Sequence, residues 1–339
     1  MIVDRYYYHS LSDEEKNVYK IVYAGVKAHQ DLIPVPGNLS EEAYYRVFTA
    51  VTSDNPLLYY CNHSAISLAE DQYGNIAYCP QYYFKADQVE MHNKKIQDRA
   101  NEIIAEINLT EGTDYEKVLK INDYFCKNIQ YDDDGSDTTD MMRVIMAHNI
   151  LGVFAKKRAQ CEGIAKAVKV LLNAVDVKCI VAEGTAILSD GKQCLHAWNV
   201  VKLDGVPYHL DVTHNIGATM DGYVGYDWLN LSDKMIKGNH IPDQKLPACP
   251  SDTLNYYTVN HAVFSVKKRA LDYVKREIKS GKRVLYLRFT GMLKATNIYE
   301  ELMQTAIDAL QKYVKEEEKL EVSGAVNPET NTLRVWIHK

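Results

Sequence analysis

The chain has 339 residues, of which 46% are hydrophobic and 25% charged, and its net charge at pH 7 is −6. This length and composition are typical of a globular protein of about two domains, and the excess of acidic residues argues against a nucleic-acid-binding surface. No apolar run reaches the roughly eighteen residues of a membrane span, and the N-terminus lacks the apolar core of a signal peptide, so we expect no membrane contact.

The seven cysteines are scattered along the chain and lack the Cys-x-x-Cys spacing of zinc or redox sites. They are typical of reduced thiols, which favours a cytoplasmic location, or an extracellular one if a leader was removed from the chain. Cys61 and Cys79 flank a predicted hairpin, and a disulfide between them in an oxidising compartment is the less favoured alternative. The sequence predicts neither a metal nor a cofactor, and it leaves the oligomeric state open.

Residues 1–107 are predicted to form an N-terminal accessory region of helices and one hairpin. Ser12 and Glu15 form a capping box at the start of one helix, and Ser40 caps a second. A strand is expected at 57–60, a hairpin at 64–84 and a charged helix at 87–107. The many tyrosines here are expected to pack inside the fold, with a peptide- or glycan-binding surface as the alternative.

Residues 108–240 are predicted to form the core domain. Helices are expected at 113–126 and 141–154, and the acidic loop between them misses the calcium-loop spacing, so it is expected to be solvated. Apolar residues then recur on one helical face, which predicts a helix at 162–175 with Cys161 in its first turn. Free backbone N–H groups there favour a thiolate, the nucleophilic form of cysteine, although an inert buried cysteine is the alternative.

Two β-rich runs, 194–203 and 206–213, flank Asp204-Gly205, which predicts a hairpin with a two-residue turn. With that turn, residues whose numbers sum to 409 face each other. Four side chains then project from one face of the sheet: His196, Trp198, Asp211 and Thr213. Asp211 is a diagonal neighbour of His196 and within reach for a hydrogen bond. A bulge at Pro207 is the alternative, and it would reverse this parity.

A cysteine at a helix start, a histidine and a carboxylate that orients the histidine make a nucleophilic triad. Four motifs resemble, in this order, the transglutaminase-like superfamily of papain-like thiol enzymes in its bacterial branch: QCEGIA at 160–165, EGTA at 183–186, HAWNVV at 196–201 and HLDVT at 209–213. The resemblance covers about residues 115–231 and implies an α+β, papain-like fold. It also implies that Cys161 is the nucleophile, His196 the general base and acid, and Asp211 the orienting carboxylate. His209 is the rival base because it shares the predicted face of Asp211, but the Ala-Trp-Asn context favours His196.

Two positions depart from the family pattern, since Ile164 and His214 stand where the family often has an aromatic residue and a tryptophan. We therefore expect specificity to differ more than chemistry. The backbone N–H of Cys161 is one expected oxyanion donor. Further candidates for the second donor or for the lining of the substrate cleft are Gln160, Asn149, Tyr131, Trp198 and His214.

Residues 241–254 contain several prolines and are predicted to be a linker, and residues 255–339 are predicted to form a C-terminal α/β accessory domain. Its expected elements are helices at 266–278 and 297–313 and strands at 283–289, 320–326 and 333–338. The segment 315–319 is expected to be a solvated helix end.

The residues and the resemblance together predict a thiol enzyme that attacks amide bonds of peptides or proteins through a thioester. Hydrolysis, by a cysteine peptidase or a deamidase, is favoured because water is always present, whereas amine transfer needs a cleft that excludes it. Crosslinking by a protein-glutamine γ-glutamyltransferase is the first alternative. A non-catalytic peptide-binding module on the same scaffold is the second.

Overall fold

A computed structural model of the chain describes residues 4–188, 190–313 and 320–338. This described part has an α+β architecture with three sheets and a short two-stranded ribbon. None of the helices within it combines the length and the apolar character that are needed to cross a bilayer.

The N-terminal region packs helices around a small antiparallel sheet. Ser12 accepts a hydrogen bond from the Glu15 N–H and Ser40 accepts one from the Ala43 N–H, so both predicted caps are confirmed. The elements are α1 (Tyr6–Ser10), α2 (Asp13–Lys27), β1 (Ile33–Val35), α3 (Glu41–Asp54), β2 (Ser67–Glu70), β3 (Ile76–Cys79) and α4 (Ala86–Glu106). β3 lies between β1 and β2 and is antiparallel to both.

The strand predicted at 57–60 is wrong. Residues Pro56–Leu58 instead form one turn of 3₁₀-helix, since Pro56 lies at the start of the turn, where its missing N–H and fixed φ are favourable. The predicted hairpin at 64–84 is confirmed as β2 and β3. Cys61 and Cys79 are both free thiols.

One hydrophobic core joins the N-terminal region to the segment that follows it. Val22 and Phe48 belong to the same cluster of buried side chains as Leu171 and Leu203. The tyrosines contribute to this core, because six of the thirteen in residues 1–107 are buried in it: Tyr7, Tyr19, Tyr44, Tyr59, Tyr60 and Tyr78. Five more are partly buried and pack against it: Tyr6, Tyr8, Tyr23, Tyr82 and Tyr83. The predicted boundary at residue 107 therefore lies within a continuous core.

The central part of the chain places one long helix against a four-stranded antiparallel sheet of strand order β8-β7-β6-β9. The elements are α5 (Asp114–Asn128), β4 (Gln130–Tyr131), α6 (Met141–Ala147), α7 (Ile150–Lys156), β5 (Arg158–Ala159), α8 (Cys161–Ala174), β6 (Lys178–Ile187), β7 (Gln193–Leu203), β8 (Val206–Leu210), α9 (Val212–Ala218), α10 (Asp233–Ile236) and β9 (His240–Pro242). The apolar face predicted for α8 is confirmed, since Ile164, Val168 and Leu171 are fully buried.

The hairpin register is as predicted near the turn and ends earlier than predicted. Pairs from Leu203–Val206 to Asn199–Leu210 sum to 409, and Pro207 pairs with Lys202 without a bulge. Beyond Leu210 the predicted strand is wrong, because the side chain of Asp211 accepts the His214 N–H and caps α9. An aspartate at this position favours a helix start over a continued strand.

Polar capping also divides the helix predicted at 141–154. Asn149 accepts the Leu151 N–H through its Oδ1 atom and begins α7 after α6 has ended at Ala147. The acidic loop before α6 is less solvated than predicted, because Asp132 is buried and forms an ion pair with Arg143.

The C-terminal part has its own hydrophobic core beneath a mixed sheet of strand order β10-β11-β13-β12. The elements are α11 (Tyr256–Val259), β10 (Val263–Phe264), α12 (Lys267–Lys279), β11 (Val284–Phe289), α13 (Ala295–Tyr313), β12 (Glu321–Asn327) and β13 (Thr332–His338). The predicted helices and strands of this region are confirmed to within two residues at each end. The predicted charged segment 315–319 lies outside the described residues.

The C-terminal part docks on the loop that follows α9. The Arg334 guanidinium donates hydrogen bonds to the carbonyl oxygens of Ala218, Tyr223 and Val224. The Asp227 carboxylate in turn accepts the hydroxyl of Thr332. The predicted linker 241–254 starts inside β9, which pairs with β6.

Candidate active site

Cys161 is the first residue of α8 and is partly exposed at the wall of a large cleft. Among the described residues, no side chain caps this helix N-terminus. The side chain of Gln160, which could have done so, donates instead from Nε2 to the Asp132 carbonyl and accepts from the Ser136 hydroxyl, both at 3.1 Å. The first backbone N–H groups of α8 therefore remain available to a negative charge in the cleft.

Close backbone packing holds this helix start in place. A side chain at Gly163 would bring its Cβ within 2.6 Å of the Ala147 carbonyl oxygen, so only glycine fits where α8 passes the link between α6 and α7. The ribbon of β4 and β5 pairs Tyr131 with Ala159, two residues before Cys161. The ribbon thereby positions Tyr131 beside the predicted nucleophile.

His196 lies on β7 opposite Gly184 of β6, and its side chain is 5% exposed. Its Nε2 atom is 2.7 Å from Oδ2 of Asp211, which leaves Nδ1 as the ring nitrogen for the interaction of His196 with Cys161. Burial lowers the pKa of His196, but the charge of Asp211 and the hydrogen bonds with Asp211 and Cys161 outweigh burial and raise it to about 10. The structure therefore places the three residues of the predicted triad together, with His196 between Cys161 and Asp211.

Asp211 is fully buried and accepts from several groups. Burial raises its pKa, yet the neighbouring His214 and His196 and the hydrogen bonds to it hold that pKa well below the ordinary value. Oδ1 accepts the His214 N–H at 2.9 Å, and Oδ2 faces a second ring nitrogen, Nε2 of His240, at 3.0 Å. The carboxylate thus stays ionised and fixes the orientation of His196.

His240 was missed in the sequence. It lies on β9 and is fully buried next to Asp211, and it was assigned no role because no motif surrounds it. The only sequence signal was indirect. Gly184 of the EGTA motif is needed because a Cβ there would lie 2.1 Å from the Ile241 carbonyl oxygen, which shows how closely β9 approaches β6.

Trp198 does not line the cleft, which corrects the expectation for it. Its ring is buried and lies nearly parallel to that of His196, with an interplanar angle of 14° and 6.2 Å between the ring centres. Its Nε1–H donates to Nδ1 of His209 at 3.2 Å. His209, the rival base, is paired with Asp233 at 2.9 Å. Trp198 therefore supports His196 from inside the protein.

The oxyanion candidates differ in what their polar atoms do. Asn149 uses both ends of its amide within the fold, since Nδ2 donates to the Ile145 carbonyl and Oδ1 accepts the Leu151 N–H. Gln160 is engaged as described above. Tyr131 borders the cleft and is 36% exposed, and burial raises the pKa of its hydroxyl, which keeps it a donor at neutral pH. Tyr131 is the candidate that remains compatible with the second oxyanion donor.

The ring of His214 lies closer to that of His196 than the ring of Trp198 does. The two rings are stacked with centres 4.6 Å apart, and the side chain of His214 is 20% exposed towards the cleft. Burial lowers the pKa of His214 to about 4, so the ring is neutral at pH 7.

A buried ionic cluster follows Cys161. The Glu162 carboxylate contacts Lys166, His148 at 3.2 Å and His63 at 3.3 Å. Burial opposes its ionisation, but these partners lower the pKa of Glu162 below the ordinary value. Because His63 comes from the N-terminal region, the cluster ties that region to the first turn of α8.

The cleft has a volume of about 1600 Å³ and walls from all three parts of the chain. His63 and Tyr83 come from the N-terminal region, and Asn327 and Glu329 come from the turn after β12. Apolar side chains at its mouth are strongly exposed, among them Met141, Leu195 and Met220. This volume exceeds the roughly 300–1,000 Å³ that is typical of small-molecule sites.

Residues 101–217 match the family model described as the transglutaminase-like superfamily. Among solved structures, the chain is similar to one described as a TGase, with 14% identity and a TM-score of 0.31 over 54% of this chain and 50% of that chain. It is also similar to a "putative cysteine protease" from Cytophaga hutchinsonii, with 13% identity and a TM-score of 0.28 over 44% of this chain and 61% of that chain. The matched part thus spans less than two thirds of both structures.

A search of curated protein sequences found no match to this chain. The segment that matches the family model contains Cys161, His196 and Asp211. Over residues 101–217, this chain thus contains a transglutaminase-like superfamily domain.

Proposed function

We propose that the protein is a cysteine-dependent enzyme that acts on amide bonds of peptides or proteins, with hydrolysis as the net reaction. The observation that carries the proposal is the alignment of Cys161, His196 and the buried Asp211 at the uncapped start of α8. With a pKa of about 10, His196 is an imidazolium at neutral pH and stabilises a thiolate on Cys161.

The proposed reaction begins when the Cys161 thiolate attacks an amide carbonyl. A C–S bond forms, and the carbonyl oxygen becomes an oxyanion that accepts hydrogen bonds from the Cys161 N–H and the Tyr131 hydroxyl. The tetrahedral intermediate collapses as its C–N bond breaks, and Nδ1–H of His196 gives its proton to the departing nitrogen. The product of this half-reaction is a thioester on Cys161 and free ammonia or an amine.

Water then completes the reaction. Nδ1 of His196 takes a proton from the water as its oxygen attacks the thioester, and the C–S bond breaks to release a carboxylate and regenerate the thiolate. The wide, partly polar cleft supports hydrolysis, because it does not exclude water from the thioester. Attack by a lysine amine in place of water would make the protein a crosslinking transglutaminase.

The test is to incubate the protein with casein and with a glutamine-containing peptide, with and without a fluorescent primary amine. We expect new peptide N-termini or conversion of glutamine to glutamate, both detected by mass spectrometry, and little amine incorporation. Cys161→Ala should abolish turnover. Cys194→Ala is the matched control, because Cys194 is also an exposed cleft cysteine but is not hydrogen-bonded to His196.

Two results would contradict the hydrolytic proposal. Efficient incorporation of the amine would assign the protein to amine transfer. Peptide binding without turnover, unchanged in Cys161→Ala, would leave a binding module on a thiol-enzyme scaffold.

A further inference from the structure

The site also gathers three histidines around Asp211, which is more than thiol chemistry needs. Three imidazoles and one carboxylate converge below the cleft, with ring nitrogens of His196, His240 and His214 at 2.7, 3.0 and 3.0 Å from Oδ2 of Asp211. Each of the four side chains offers one ligand atom, and these four atoms all lie within 4.8 Å of one another. Orienting one histidine needs one of these contacts, so the other two remain to be explained.

The acceptor at the centre faces more ring nitrogens than it can bind well. A carboxylate oxygen has about two lone-pair positions, and His196 and His240 occupy them with good hydrogen-bond geometry. Nδ1 of His214 is as close as 3.0 Å to Oδ2 of Asp211, yet this buried atom makes no hydrogen bond with any residue that the structure describes. A buried polar atom without a partner is costly, so a further ligand that binds Nδ1 of His214 would remove this cost.

We infer that these four side chains form a binding site for a divalent transition metal, with Zn²⁺ as the best match. Three imidazoles and a carboxylate are a ligand set that suits zinc. In a tetrahedral site with bonds of about 2.0–2.1 Å, neighbouring ligand atoms are about 3.3 Å apart. The distances from Asp211 to the three rings are slightly shorter, so a small outward movement of the rings opens the site.

The position of the cluster provides an access path. Asp211 and His240 are completely buried, whereas His214 is 20% exposed and borders the cleft, so an ion would reach the cluster past His214. Nδ1 of His240, on the side away from Asp211, has no partner among the described residues. Histidines that bind zinc usually hydrogen-bond to a carboxylate, carbonyl or water through their other ring nitrogen. Because His240 lacks such a partner among the described residues, we expect reversible metal binding rather than a permanent structural ion.

A second cluster of His209, Asp233 and Cys249 is less suited to a metal. Nε2 of His209 bonds to Asp233, and the Cys249 thiol donates to the Pro247 carbonyl. Unlike the first cluster, it has no buried ligand atom without a partner among the described residues, and Asp233 is exposed. This cluster serves as an internal control.

A metal at the first cluster has a consequence for Cys161 that rests on the proposed function. An imidazole that holds a metal at Nε2 carries its remaining proton at Nδ1, so His196 can no longer accept a proton from the Cys161 thiol. Bound Zn²⁺ would take the place of the proton on Nε2, which passes to solvent, and because Nδ1 keeps its own proton, His196 could not take a proton from the water that attacks the thioester. Zn²⁺ is thus expected to inhibit the enzyme without contacting sulfur.

The test is a titration of the metal-free protein with Co²⁺, whose visible absorption reports tetrahedral coordination and whose near-ultraviolet absorption reports a thiolate ligand. We expect visible bands without a thiolate band, retained in Cys161→Ser and in the control His209→Ala, and abolished by added Zn²⁺. His240→Ala and His214→Ala should each weaken Co²⁺ binding at least about 10-fold. The partly exposed His214 provides the variant that is easier to fold, with circular dichroism as the check.

Three results would overturn the inference: no visible bands with excess Co²⁺, a thiolate band that disappears in Cys161→Ser, or equal binding by wild type, His240→Ala and His214→Ala. The effect on chemistry is measured separately, as the rate at which iodoacetamide alkylates Cys161 with and without Zn²⁺. A protein whose Cys161 is unreactive even without metal would contradict the proposed function, while the Co²⁺ titration would still decide the metal site.

Discussion

Replacing Asp211 with asparagine tests the central claim that this carboxylate creates the imidazolium at His196. The variant keeps Oδ1, which caps α9 through the His214 N–H, and replaces the oxygen that faces Nε2 of His196 with an NH₂ group. A donor there favours a neutral ring with its proton on Nδ1, pointing at Cys161. The shape of the site is preserved while its charge and its tautomer change.

The size of the effect follows from the pKa of His196. At about 10, the ring is protonated roughly 1000 to 1 at pH 7. Since burial alone lowers the pKa of His196, loss of the Asp211 charge should bring it below the ordinary 6.5, where the neutral ring predominates. An ordinary cysteine thiol is only about 0.3% thiolate at pH 6, and this fraction sets the scale of the effect expected from loss of the imidazolium.

The assay is alkylation of Cys161 by iodoacetamide at pH 6, followed by mass spectrometry, with exposed Cys194 in the same protein as the reference thiol. We expect the rate for Cys161 to fall about 100- to 300-fold in Asp211→Asn, with Cys194 unchanged. Asp233→Asn is the matched control, because Asp233 pairs with His209 in the same way but away from the cleft. An Asp211→Asn protein that folds and is alkylated as fast as wild type would refute the reasoning.

Three further changes test other parts of the structure. Glu162→Gln leaves Lys166 buried without its charge partner and should lower the free energy of unfolding by about 3 kcal/mol at pH 7, measured by urea denaturation. Folding lowers the pKa of Glu162 below 4.5, so its ionised carboxylate stabilises the folded state above about pH 4.5 and loses this effect as the pH falls further. The difference in the free energy of unfolding between wild type and Glu162→Gln should therefore shrink below about pH 4.5, and a constant difference would contradict this. Tyr131→Phe should lower kcat about 100-fold with little change in KM if its hydroxyl binds the oxyanion, and an unchanged kcat would place the second donor elsewhere. Arg334→Met removes the hydrogen bonds to the loop after α9 and should speed proteolysis within residues 218–224, whereas unchanged cleavage would mean that other contacts suffice for docking.

The parts of the site that the sequence predicted well depend on local rules. The two-residue turn at Asp204-Gly205 determines which residues of β7 and β8 face each other. The number of residues from this turn to His196 and to Asp211 was therefore enough to predict that the two side chains are close. The position of Cys161 followed from the apolar period of α8. Both signals lie within about twenty residues of the side chains that they place.

The errors near the site arise where a polar side chain ends or begins an element. Asn149 divides a continuous apolar run into α6 and α7, and Asp211 turns a β-rich run into α9. Side-chain capping competes with the periodic pattern and depends on which backbone N–H groups are left over in the fold. His240 was beyond any local rule, because the pairing of β9 with β6 bridges more than fifty residues.

The early end of β8 explains why Asp211 can contact several histidines at once. A carboxylate within a strand would project to one face and meet only cross-strand neighbours. As the N-cap of α9, Asp211 directs Oδ1 back to the helix and leaves Oδ2 free between β7, α9 and β9. The cap keeps the side chain in one orientation, so the carboxylate that holds His196 is also the one on which His214 and His240 converge. The helix start that the hairpin pattern failed to predict thus adds His214 and His240 to the surroundings of Asp211, beside the His196 contact that the pattern did predict.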